Sequence, residues 1–141
     1  MGAYVDALGK SVVRLHTLAV QYGSPTGVVG IGSAGVTATT AFQLTTQSQT
    51  AMVNASDRSL IASGRLLGAN APASASLAMA TEHLDVAPQS WRNGYLIGVE
   101  QIYLATDSVD GAMVDEITVV LECTVETLSQ SAAMALALSQ Q

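Results

Sequence analysis

The chain has 141 residues, a net charge of −6, 49% hydrophobic and 11% charged residues, and a single cysteine, Cys123. That length is one ordinary domain, 1–141, with one core. A lone cysteine rules out an intramolecular disulfide, and five basic residues make too small a phosphate footprint for nucleic acid to be the main ligand.

Residues 3–21, AYVDALGKSVVRLHTLAVQ, carry Val5, Leu8, Val12, Leu15 and Ala19 at steps of three and four, with Lys10, Arg14 and Gln21 off that line. The spacing predicts an amphipathic helix ending before Gly23-Ser24-Pro25. In 27–53, Val36, Ala38, Thr40, Phe42 and Leu44 alternate, which predicts a strand or hairpin arm; a small-residue helix is the competing reading. Asn54-Ala55-Ser56-Asp57 offers N-cap residues for a helix over 56–67, stopped by Gly68. A small-residue linker, 69–76, precedes a short helix over 76–85, closed by Pro88.

Residues 95–106 (YLIGVEQIYLAT) and 117–125 (ITVVLECTV) are rich in β-branched and aromatic residues. In the second, Ile117, Val119, Leu121, Cys123 and Val125 share one face, the period of a strand. With a turn at 107–111 between them, the two predict a β-hairpin, followed by a helix over 126–139; one long helix over 112–139 is the rival. The sum is an α+β fold: an N-terminal amphipathic helix, a Gly/Thr-rich extended segment, short helices, and a C-terminal β-hairpin followed by a helix. The alternative is a mainly α chain.

Gly30-Ile31-Gly32-Ser33-Ala34-Gly35 fits G-x-G-x-x-G. A dinucleotide site also needs a strand before it, a helix after it and an acid about 20 residues on. Thr50 stands where the acid should be, and no alternating βαβ pattern surrounds the loop. The glycines instead suit close backbone approach. Glu82, His83 and Asp85 do not converge from one helical turn, and no second ligand cluster supports a metal. Asp107, Asp110, Asp115 and Glu116 lack the spacing of a calcium loop. Cys123 with His16 or His83 could form a nucleophile pair, but its apolar phase places it as a small core residue. No cofactor or metal is expected. Trp91, Arg92 and Tyr95, in QSWRNGY, are the side-chain types most enriched in interface anchors.

Residues 1–81 carry four bases against Asp6 and Asp57, whereas 82–141 carry Arg92 against nine acids. Opposite halves suit head-to-tail association. A typical soluble domain has about a quarter of its residues charged; so sparse a surface is best hidden against copies of itself. The expected function is therefore a non-catalytic structural subunit of a self-assembling particle, filament or virion. Its expected partners are copies of itself, meeting through Gly30, Gly32, Gly35, Trp91, Arg92 and Tyr95. The Ala/Ser/Thr/Val-rich composition is similar to that of phage coat and tail subunits. The ending TLSQSAAMALALSQQ resembles the Ala- and Gln-rich helices of R-body proteins, over some fifteen residues that do not assign the chain to that family. No secretory signal is read at the N-terminus, and 27–42 is too short and too rich in Thr and Gly for a membrane span. A virion or cytoplasmic assembly is the expected location. The alternative is a small ligand-binding or enzymatic α+β domain that uses the 95–125 hairpin and Trp91 as a ligand wall.

Overall fold

The computed structural model describes residues 11–26, 34–74, 77–86, 90–109 and 116–140. Among them run β1 (Ser11–Tyr22), β2 (Thr37–Thr45), β3 (Leu60–Asn70), β4 (Leu77–Val86), β5 (Ser90–Ile97), β6 (Tyr103–Val109), β7 (Ile117–Thr127) and α1 (Gln130–Gln140). The strands form two antiparallel sheets, ordered β5-β1-β7 and β4-β3-β2-β6. Leu15, Leu18 and Tyr22 from the first sheet and Phe42, Leu44 and Ile61 from the second share one buried cluster. Tyr22 meets Phe42 edge to face across the two sheets, with ring centroids 6.1 Å apart, the geometry that ring quadrupoles favour. The fold is thus a β-sandwich with one helix, not the expected α+β chain and not mainly α.

The expected N-terminal helix is a strand over its described part: of the expected helical line Val12 and Leu15 are buried but Ala19 is exposed, and a bulge divides the strand before it. In the β1–β7 ladder Leu15 pairs with Cys123 and Thr17 with Glu122, so His16 is an extra residue. A bulge flips the phase of everything after it. Val13 and Leu15 point inward before it; Leu18, Val20 and Tyr22 do so after it. Two runs of period two, offset by one, put Leu18 and not Ala19 in the core, so the expected helical line is not the buried one.

The helices expected at 56–67 and 76–85 are β3 and β4. Asp57 is a local cap, but of a turn: its Oδ1 accepts from the Ser59 N–H (2.8 Å) and the Ser59 hydroxyl (2.7 Å) and starts β3 instead of a helix. Residues that cap helices also close such turns, because the same short oxygen reaches the same nearby N–H groups. The Ala, Met and Glu of β4 favour a helix locally; pairing with β3 overrides them. The ambiguous 27–53 segment contains β2, followed by an irregular loop over 46–59.

The expected hairpin of 95–106 with 117–125 does not form. Its two arms are strands, but β6 pairs with β2 in one sheet and β7 pairs with β1 in the other. Residues 95–106 are themselves divided at Gly98, which ends β5 and begins the crossing to β6. Helix α1 does follow β7, starting at Gln130 with Ser129 as its cap; Ser129 Oγ accepts from the Ala132 N–H at 3.3 Å.

Candidate functional site

The anchor cluster expected at Trp91, Arg92 and Tyr95 lies on β5, an edge of the three-stranded sheet. Leu15 pairs with Tyr95 and Thr17 with Ser90, so residues 91–94 loop out opposite the single residue His16. Arg14 holds this loop. Its guanidinium donates to the Asn93 carbonyl and forks onto the Glu126 carboxylate, with Nη2 2.9 Å from Oε2. Gly94 closes the loop at φ +73, and a Cβ there would sit 2.5 Å from Arg14 Cγ, so only glycine fits. Arg92 is exposed, while Tyr95 is half-buried against the core, its hydroxyl hydrogen-bonded to Gln140 and its pKa raised by burial. Arg92 and Tyr95 therefore do not form one surface, and the side chain of Trp91 lies outside the described ones.

The other half of β5 is occupied by α1. Gln140 Nε2 donates to the Leu96 carbonyl (2.6 Å), and the Gly98 N–H donates to Gln140 Oε1 (2.7 Å). A side-chain amide offers one donor and one acceptor, and here it takes the two positions that a neighbouring strand would fill. The Gln140 carbonyl accepts from Thr46 Oγ1 (2.8 Å) and so ties the end of the other sheet to the same residue. Leu136 packs so close to Gly98 that a Cβ there would lie 2.7 Å from its Cγ. Edge β5 is blocked by the loop at one end and by Gln140 at the other. Neither Gln140 nor Gly98 was among the residues expected to matter; a terminal glutamine carries no periodic signal.

The remaining edges are different. β6 is in unbroken register with β2 over all seven of its residues, and it carries exposed Tyr103, Leu104 (48% exposed) and Val109 (60%). β7 carries exposed Val120 and Val125, and β4 carries exposed Met79. Neither β6 nor β7 contains a lysine or a proline, two common devices that keep sheet edges apart. That absence is readable in the sequence once the strands are known to be edges.

Of the expected glycine contacts, Gly30 and Gly32 lie outside the described residues. Gly35 is in a turn at the end of the four-stranded sheet, with φ +67 and its N–H donated to the Ala71 carbonyl at 2.9 Å. It thus serves the chain's own turn, in a different sheet from β5.

Cys123 is exposed, not in the core as its phase suggested. Ile117, Val119 and Leu121 in that phase are half-buried, but the opposing sheet does not cover the edge strand as far as Cys123 and Val125. His16 shares a hydrogen bond with Thr124 Oγ1 (2.8 Å), on the face opposite Cys123, so the two make no nucleophile pair. Among the described residues no group of three or more His, Cys, Asp or Glu is placed to hold a metal. No helix of the described residues is long and apolar enough to cross a membrane.

The charge split of the sequence is partly consumed within the molecule, because β1 lies against β7. Arg14 pairs with Glu126 and holds its carboxyl below the usual range. On the outer face of the four-stranded sheet, the 46–59 loop folds back and is held by Gln43, whose amide donates to the Val53 carbonyl (2.6 Å) and accepts from the Val53 N–H (2.8 Å). Beneath it runs a groove of about 590 Å³ with Arg65 and Asp107 on its walls. No family model, curated protein or solved structure matches this chain.

Proposed function

We propose that this protein is a structural subunit that associates with copies of itself through its open sheet edges, as part of a filament or particle. The observation that carries the reading is the placement of its exposed apolar side chains. Among the described residues, every large one except Leu67 lies on an edge strand or on α1. Scattered exposed apolar residues are ordinary; their collection along unpaired ladders is what strand-to-strand association uses. The sparse charge of the chain supports the same reading.

Light scattering and negative-stain electron microscopy over a concentration series test it. Regular filaments or particles are the expected result. A monodisperse 14.4 kDa species at the highest concentration would remove the proposal. The groove under the 46–59 loop favours a second reading, small-ligand binding. A thermal-shift screen that raises the melting temperature of wild type but not of Met52→Arg, which fills the groove, would support it.

A further inference from the structure

Resting on that reading, we propose that copies join head to tail through the four-stranded sheet, β6 of one copy adding to β4 of the next, to build an open helical filament. The occupant of each edge is a second copy of this chain.

The first argument is the direction of the strands. In the order β4-β3-β2-β6 every neighbour is antiparallel, so the outer strands β4 and β6 run in opposite senses. A copy displaced sideways therefore sets β4 antiparallel to β6. In the three-stranded sheet β5 and β7 are both antiparallel to β1 and hence parallel to each other, and β5 is blocked. Between two three-stranded sheets β7 can make an antiparallel ladder only with itself about a two-fold axis. That would bring Glu116, Glu122 and Glu126 against the same acids of the other copy.

The second argument is register. His83 pairs with Arg65, Arg65 with Ala41, and Ala41 with Asp107, one row straight across the sheet. A residue in a strand points its N–H and C=O to the same side, so hydrogen-bonded and non-hydrogen-bonded pairs alternate along a row. With four strands the alternation resumes correctly when Asp107 meets His83 of the next copy.

The third argument is charge. The row has Arg65 one strand in from the β4 edge and Asp107 on the β6 edge, and both are exposed. Opposite ends meet at each junction. Exposed Met79 on β4 and exposed Val109 on β6 supply apolar surface to the two edges.

Four strand spacings set the axial repeat at about 19 Å. The usual twist of 20–25° per strand turns each copy by about 80–100°, so the chain of copies winds without closing.

Cross-linking tests the arrangement directly. In a Cys123→Ser background, His83→Cys with Asp107→Cys should give, on mild oxidation, a ladder of dimers, trimers and larger species. Within one copy these positions are three strand spacings apart, about 14 Å, too far for a disulfide. Each single-cysteine variant should give no ladder. Electron microscopy of wild-type filaments should show the 19 Å repeat, and Val109→Lys should abolish filaments while Val120→Lys leaves them. A dimer from Asp107→Cys alone, or filaments lost in Val120→Lys but kept in Val109→Lys, would overturn head-to-tail joining and leave self-association standing. Wild-type protein that stays monomeric by light scattering would remove both.

Discussion

Strands β5 and β6 stand five residues apart in sequence, and both are edges, yet they meet solvent in opposite ways. β5 is interrupted by the 91–94 loop, pinned by Arg14, and capped by the Gln140 amide. β6 is paired at every residue with β2, and among the described residues no strand pairs with its other side. The sandwich could have closed both edges with the same devices. Among the described residues it closes one and leaves the other without a strand partner, with exposed apolar side chains along it.

The largest expected effect comes from opening the closed edge. Gln140→Ala leaves the Leu96 carbonyl and the Gly98 N–H without their partner, and unsatisfied groups of this kind cost about 1–3 kcal/mol each. Urea denaturation should show a loss of about 2–3 kcal/mol, and β5 should then behave more like β6, with added aggregation. An unchanged midpoint would mean that the clasp does not hold the edge.

Gly94→Ala attacks the other device. The left-handed backbone and the crowding by Arg14 predict a loss of about 1–2 kcal/mol. The same substitution at Gly35, also left-handed but with its nearest neighbour 3.6 Å from an added Cβ, should cost less. Equal losses would show that strain, not the Arg14 contact, sets the cost. Arg14→Gln should cost less still, because its pair with Glu126 is solvent-screened.

The smallest effect is expected from acid. Hydrogen bonds from Arg14 hold the Glu126 carboxyl below its ordinary range, and hydrogen bonds from Ser59 do the same for Asp57. Both pKa values are lowered by folding, so their stabilisation is present above the ordinary carboxylate range and is lost as the pH falls through the lowered values. The melting temperature should fall gently below about pH 4, and the fall should be shallower in Arg14→Gln. An identical pH profile in that variant would break the assignment to Glu126.

Period two at 36–44 and at 117–125, and the helix after 126, were determined by local sequence, because alternation and propensity act over a few residues. The expectation of self-association came from sparse charge and an excess of small residues, which carry no position along the chain. What the tertiary structure decided was the partner of each strand. Residues 95–125 contain strands at both ends, and nothing in their pattern says that β6 joins β2 while β7 joins β1. Pairing is a long-range choice set by which faces can be buried together. The strand β1 was hidden for a related reason: a one-residue bulge at His16 breaks its alternation and is legible only against β7 and β5. Edges are the furthest from the sequence of all. Whether a ladder is closed by Gln140 or left open depends on what the rest of the chain brings to it, and that arrangement exists only once both sheets have packed.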